Sequence, residues 1–335
     1  MQKARYKIAI IGNGKLAKAI VSGLLLSPNI SPSDILVIKR VIKKDEHCFF
    51  KSLGVNVSTK MKDVSTASCI ILAVTPLGSD YVVRGLSKVS LINHKVISFV
   101  SGLLRNQIRK DPTKYRIIQA TCNTNIAYRK GIICATGQST VLSDLGQVFL
   151  ESPKRITRSI VTIGSGNGFD CRALYIGYIS SGTQKSLREW LTRLLAVVKD
   201  RNQMALQIED EYAIIRKYLR NKSKVFCNNQ FTYGRTAGTR SRITMQSTIE
   251  ALLSMDGDIN LDSIRTLFDT VVTKGGCTEK GINMISSVED LLSFEKLEEA
   301  FLLVWQRAIL FKKDVRTSIA KTARLTVFER IRLRK

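Results

Sequence analysis

The sequence predicts an α/β region built on a parallel sheet, followed by an all-α region, and three observations lead to that expectation. An apolar run, Lys7-Ile8-Ala9-Ile10-Ile11, breaks at Gly12-Asn13-Gly14-Lys15-Leu16-Ala17 into a helical pattern ending near Leu26. This strand–glycine turn–helix order is the start of a Rossmann-type domain. Short continuous apolar runs then recur with helical or polar segments between them, as parallel strands buried on both faces require. After about Ile163 the alternation gives way to apolar residues spaced three and four apart.

The first turn prepares an anion site. Gly12 permits a tight turn, Gly14 lets backbone approach a pyrophosphate, and Ala17 keeps the helix close to its strand. The helix N-terminus presents unpaired N–H groups to the phosphates. A second strand, Ile35-Leu36-Val37-Ile38, ends in Lys39-Arg40, where an acidic residue would hold the ribose 2′-hydroxyl of NAD. The two cations suit a 2′-phosphate, so NADP(H) is favoured over NAD(H). The alternative is a pair of ordinary surface charges in a basic chain.

The next elements follow the same logic. Asp45 to Leu53 reads as helical. The apolar runs Cys69–Val74, Val96–Val100, Arg116–Ala120 and Gly131–Ala135 read as strands, with a helical segment over Asp80 to Leu91. Ligand loops lie past the carboxyl ends of such strands, which selects Val74-Thr75-Pro76, Ser101-Gly102 and Cys122-Asn123-Thr124. Helices are expected over Leu187–Val198, Ile208–Leu219, Ile243–Met255, Leu261–Val272 and Phe294–Phe311. Residues 221–242, polar and basic, read as a loop.

Composition removes several classes. The chain has 335 residues, 44% of them hydrophobic, enough for two domains with real cores. It lacks an apolar run of about 18 residues, so a membrane span is not expected. Met1 to Lys7 leads straight into the first strand without a signal-peptide pattern, and a cytoplasmic location is the expectation. Seven cysteines are scattered without a Cys-x-x-Cys pair, and the histidines are His47 and His94. That is neither a disulfide framework nor a metal site. A formal charge of +26 attracts polyanions. It is uneven: residues 251–300 are acid-rich, whereas Arg307 to Lys335 is strongly basic.

A second motif, Thr273-Lys274-Gly275-Gly276-Cys277-Thr278-Glu279, follows one helical pattern and opens another. Two readings are open for it in isolation. One is a donor-rich turn for a small carboxylate; the other is an ordinary helix–helix turn with Thr273 or Thr278 as a cap.

Taken in order, these stretches resemble the pyrroline-5-carboxylate reductase family. Ile11-Gly12-Asn13-Gly14 looks like its cofactor loop, and Leu53-Gly54-Val55-Asn56-Val57 like its third-strand approach. Ile71-Leu72-Ala73-Val74-Thr75-Pro76 is similar to its Ala-Val-Lys-Pro loop. Ile97-Ser98-Phe99-Val100-Ser101-Gly102 and Cys122-Asn123-Thr124-Asn125 resemble the next two loops. Gly164-Ser165-Gly166 is similar to its Ser-Gly-Ser-Gly helix start, and Thr273 to Thr278 to its Ser-Pro-Gly-Gly-Thr-Thr substrate loop. The matches cover about residues 6–170 and 244–308.

The resemblance implies NAD(P)H-dependent reduction of 1-pyrroline-5-carboxylate to L-proline, the last step of proline synthesis. Hydride attack on an imine needs positioning more than covalent help, which accounts for the scarcity of histidine. It implies Gly12, Asn13, Gly14, Lys15 and Leu16 at the pyrophosphate, and Lys39 and Arg40 at the 2′-phosphate. Ala73, Val74, Thr75 and Pro76 would border the cofactor, with Asn123 near the nicotinamide. Thr273, Gly275, Gly276, Cys277 and Thr278 would bind the substrate, with Thr278 as the catalytic residue beside the imine nitrogen. The implied organisation is a dinucleotide-binding domain over 1–163 and a helical substrate and dimerisation domain over 164–311. An insertion is placed at about 175–243 and a basic extension at 312–335. A homodimer or higher homo-oligomer follows by the same analogy.

Departures accompany the match: Thr75 for the loop lysine, Leu77 for a glutamine, Met61 for an asparagine, and Asn167-Gly168-Phe169 for Pro-Ala-Tyr. They sustain a rival reading, a paralogue that binds NADP without this turnover or reduces another imine or keto acid. The basic insertion and tail sustain a second, a protein that binds nucleic acid or another polyanion on this scaffold.

Overall fold

A computed structural model describes residues 5–40, 49–91, 94–100, 116–136, 154–155, 160–181, 217, 220–221, 236–255, 261–304, 306–311 and 314. The chain runs through β1 (Tyr6–Ile11), α1 (Lys15–Leu25), β2 (Ile35–Ile38), β3 (Asn56–Ser58), β4 (Ala67–Leu72) and α2 (Ser79–Leu86). It continues through β5 (Lys95–Ser98), β6 (Arg116–Cys122), β7 (Ile133–Thr136) and the two-residue β8 (Lys154–Arg155). The strands are ordered β3-β2-β1-β4-β5-β6-β7-β8. Every pairing from β3 to β6 is parallel. The strand order reverses between β1 and β4, where a sheet of this kind opens its ligand crevice.

The apolar runs explain the sheet. Ile8 to Ile11 lie in register with Ile35–Ile38 on one side and with Cys69–Leu72 on the other. Alternate side chains leave the sheet on opposite faces. Ala9, Ile11, Leu36, Ile38, Ile70 and Leu72 pack with Val82 and Leu86 of α2. Ile8, Ile10, Val37 and Ile71, between them along the strands, are equally buried. Continuous rather than alternating hydrophobicity is therefore the signature of burial on both faces.

Contacts divide the chain into two compact units. One comprises Met1–Thr121, Ala135–Arg155 and Ala308–Lys335; the other comprises Cys122–Cys134 and Ile156–Arg307. The second unit holds α3 (Ile160–Ser181), α4 (Thr236–Leu253), α5 (Leu261–Val271), α6 (Cys277–Ile282) and α7 (Val288–Leu292), then helical residues 294–304. Its core gathers Phe169 and Leu174 from α3, Ile249 from α4, Leu267 from α5, and Leu297 and Phe301 from the last helix. The Phe169 and Phe301 rings stack with centroids 4.4 Å apart. Gly281 permits this packing, because a Cβ there would approach the Ala300 carbonyl oxygen to 2.7 Å and the Phe169 ring to 2.8 Å.

Two expectations are corrected. Residues 236–242 were assigned to a loop, yet α4 already begins at Thr236. Its first turns carry Arg240 and Arg242, which favour helix without contributing an apolar stripe. Gly164-Ser165-Gly166 was expected at a helix start, but α3 begins at Ile160 and carries the three residues within it. The helix expected over Leu187–Val198 and nearly all of that over Ile208–Leu219 lie outside the described residues, as does the basic tail from residue 315. Among the described residues no helix is long and apolar enough to cross a membrane.

Candidate functional site

The glycine turn takes the form its sequence requires. Gly12 sits at φ +131, a conformation that side chains rarely adopt, and a Cβ there would overlap the Ala73 carbonyl oxygen. Its N–H donates to the Ile38 carbonyl (2.9 Å), while Ala73 N–H donates to Ile11 (2.9 Å). The ends of β1, β2 and β4 are thereby bound to one another. A Cβ on Gly14 would meet open space, so this glycine is exposed to whatever approaches the turn. Gly14 is also the N-cap of α1, and no side chain caps that helix. Asn13 and Leu16 are half-buried and Lys15 is exposed. An open glycine at an uncapped eleven-residue helix is the geometry that accepts a pyrophosphate.

The two cations after β2 are not equivalent. Arg40 is exposed, whereas Lys39 is 2% exposed and its Nζ is buried without a hydrogen-bond partner. Its backbone N–H extends the sheet by donating to Ser58 (3.0 Å). A buried amine with no partner is destabilising, so a ligand anion reaching Lys39 Nζ would relieve a defect.

Past β4, Ala73 is buried, Val74 and Pro76 are half-buried, and Thr75 is exposed. Thr75 leads into a short 3-10 turn over Pro76–Gly78 that runs directly into α2. Met61, where an asparagine was expected by analogy, lies instead against Gly85 of α2. This apolar contact leaves no amide at that position.

Asn123 belongs to the helical unit by its contacts. It is 5% exposed, and both ends of its amide are engaged there. Nδ2 donates to Ser247 Oγ (3.0 Å), and Oδ1 accepts from Ile132 N–H (2.9 Å). Asn125 Nδ2 donates to the same hydroxyl (3.0 Å), and Ser247 Oγ donates to the Lys130 carbonyl (2.5 Å). Ser247 therefore anchors the segment that follows β6 onto α4. The helix over Ile243–Met255 is legible from its apolar spacing, but nothing local to Ser247 signals partners more than 100 residues away in sequence, which is why the anchor was missed.

The second motif forms a closed turn within the helical unit. Gly275 has φ +73, and Gly276 N–H donates to the Thr273 carbonyl (2.8 Å). Gly275 N–H donates to Glu279 Oε2 (2.6 Å), while the Gly275 carbonyl accepts from Arg307 Nε (3.1 Å). Burial pushes the Cys277 thiol up to about 11, with the nearby Arg307 charge opposing the shift. Cys277 is thus a protonated thiol at neutral pH. Thr278 is half-buried, with its methyl against Gly168 of α3. The sequence assigned no role to Glu279, Arg307 or Gly168. Glu279 stands three residues after the Gly276 N-cap, where a capping box would place a glutamate, but glycine in place of Ser or Thr hides that signal.

Among the described residues no group of three or more histidine, cysteine or acidic side chains could hold a metal ion.

The sheet and the glycine turn define a dinucleotide-binding type of α/β fold. Residues 7–102 match the family model described as NADP oxidoreductase coenzyme F420-dependent. The chain is also similar to pyrroline-5-carboxylate reductases. Pyrroline-5-carboxylate reductase 1 of Dictyostelium discoideum is 26% identical over 194 residues, which cover 50% of this chain and 34% of that protein. The chain thus spans about a third of the length of the curated relative it matches. Two solved structures are similar. The Coxiella burnetii pyrroline-5-carboxylate reductase is 20% identical, with 93% of this chain and 98% of that chain covered and a TM-score of 0.43. The Plasmodium falciparum pyrroline carboxylate reductase, with NADP bound, is 14% identical, with 94% and 98% covered and a TM-score of 0.39.

Proposed function

We propose that this chain is an NAD(P)H-dependent reductase of a cyclic imine that carries a carboxylate, namely 1-pyrroline-5-carboxylate, giving L-proline. The observation that supports it most is the turn at Gly12: a left-handed glycine against Ala73 and an open Gly14 heading an uncapped helix. In this reading Gly12, Asn13, Gly14, Lys15 and Leu16 hold the pyrophosphate. Lys39 and Arg40 attract the 2′-phosphate, which favours NADP(H), and Ala73, Val74, Thr75 and Pro76 border the cofactor. The reduced cofactor, when bound, supplies the hydride.

The helical unit supplies the substrate side of the proposal. Thr273, Gly275, Gly276 and Cys277 form the wall for the substrate carboxylate, and the Thr278 hydroxyl stands beside the imine nitrogen. Asn123, engaged by Ser247 and Ile132, orders its own loop near the nicotinamide. A homodimer or higher homo-oligomer in the cytoplasm belongs to the same reading, as does the division into domains at 1–163 and 164–311.

The test is NADPH oxidation by the purified chain with 1-pyrroline-5-carboxylate, run beside NADPH binding by fluorescence. Turnover is the expected result. Binding without turnover would favour the second reading, a cofactor-binding paralogue with a changed substrate. One observation supports that alternative: both glycine N–H groups of the second motif are already engaged within the protein. No binding would overturn the cofactor assignment.

A further inference from the structure

Gly275 is held from both sides by ionisable side chains. Its N–H donates to Glu279 Oε2 at 2.6 Å, and its carbonyl accepts from Arg307 Nε at 3.1 Å. The neighbouring Gly276 N–H is committed to the Thr273 carbonyl. Two of the donors expected to receive a ligand carboxylate, the Gly275 and Gly276 N–H groups, are therefore occupied, the first by a carboxylate of the chain itself. A second carboxylate brought to this turn would lose the Gly275 donor and would also meet the Glu279 charge. Like charges a few ångströms apart in a half-buried site repel strongly. The Arg307 guanidinium, on the carbonyl side of Gly275, carries a positive charge of opposite effect, common to the wild-type protein and to a variant changed only at Glu279.

We infer that Glu279 is a specificity-determining residue, a built-in competitor that a ligand carboxylate must displace from Gly275 N–H. The inference rests on the reading that places the substrate carboxylate at this turn. It goes further by assigning the chain a penalty against anionic ligands that neutral ligands of the same shape escape. A mere capping role for Glu279 predicts no such distinction, since a cap stabilises the turn whatever the charge of the ligand.

Glu279→Gln separates the two. The amide oxygen can still accept from Gly275 N–H, so the turn is retained while the charge is lost. Cyclopentanecarboxylate and its neutral isostere cyclopentanecarboxamide are titrated calorimetrically into the full-length wild-type and variant proteins. The expected result is a roughly five- to tenfold gain in carboxylate affinity in the variant, with carboxamide affinity unchanged within about twofold. Equal carboxylate affinity in the two proteins, weaker binding to the variant, or no carboxylate binding to either would overturn the inference. Failure of the reductase reading is recognised separately. It appears as absent NADPH oxidation with 1-pyrroline-5-carboxylate, which the titration does not measure.

Discussion

The Thr278 methyl occupies the space that a side chain on Gly168 would need: a Cβ at position 168 would overlap Thr278 Cγ2. Helix α3 and the second motif approach this closely only because residue 168 has no side chain. Gly168→Ala brings two opposing effects. The intrinsic helix preference favours alanine by about 1 kcal/mol, whereas overpacking costs about 1–3 kcal/mol. The steric term is expected to win, lowering stability in urea unfolding. In a Thr278→Ser background, which lacks the methyl, the same change should become neutral or stabilising.

Thr278→Val keeps the methyl against Gly168 and removes the hydroxyl. If the hydroxyl bonds beside the imine nitrogen, kcat/KM should fall by about 10- to 100-fold, the equivalent of one charge-assisted hydrogen bond. NADPH binding should be retained. Full activity in this variant would sink the assignment of Thr278.

Lys39 allows stability and cofactor choice to be read from one substitution. Lys39→Met keeps the apolar stem and deletes the orphaned Nζ. The ligand-free protein is expected to gain about 1–3 kcal/mol, the usual penalty of a buried unsatisfied group. The preference for NADPH over NADH should shrink at the same time. Thermal melts without cofactor and paired titrations check both, and a lower melting temperature would contradict the argument.

Ser247→Ala leaves two amide donors, Asn123 Nδ2 and Asn125 Nδ2, and the Lys130 carbonyl without their shared partner. The loss of a partner by each of the two buried amides costs about 1–3 kcal/mol at most, partly recovered by local relaxation, while the carbonyl of the exposed Lys130 can turn to water. A net loss of about 2–4 kcal/mol is expected in denaturant unfolding. A change below 0.5 kcal/mol, taking ordinary surface substitutions as the yardstick of about that size, would show that the hydroxyl is dispensable.

Cys277 gives the chain an alkaline limb. Its thiol is raised from 9.0 to about 11 in the folded protein, so the unfolded chain releases this proton first. Between those values the folded state binds more protons, and stability falls as pH rises. The contribution is intact below pH 9 and is lost progressively up to about 11. Cys277→Ala should flatten this part of the stability profile measured from pH 8 to 11.

Much of the sheet was legible because its determinants are local. Ile8–Ile11, Ile35–Ile38 and Cys69–Leu72 are continuous apolar runs, and Gly12 marks the turn by lacking a side chain. Lys39 was legible as a cation but not as a buried one, since burial depends on neighbours that composition does not reveal. Helix α4 was read seven residues short because Thr236 to Arg242 show no apolar stripe. Gly164 and Gly166 suggested a boundary, yet the surrounding apolar residues continue the helix through them. The Glu279 contact escaped because a glycine N-cap lacks the hydroxyl that makes a capping box recognisable.

The anchoring of the segment after β6 has a consequence for biosynthesis. Asn123 meets Ser247 across 124 residues of sequence, and Thr124 meets Thr270, with their hydroxyl oxygens 3.1 Å apart, across 146. On a chain made from its N-terminus, these asparagines and threonines leave the ribosome long before their partners exist. At roughly 5–20 residues per second, Asn123 waits on the order of ten seconds for Ser247. Throughout that interval the loop can make its local bonds, such as Ile132 N–H to Asn123 Oδ1, but its side chains lack these distant partners, so the anchor to α4 closes only late in synthesis.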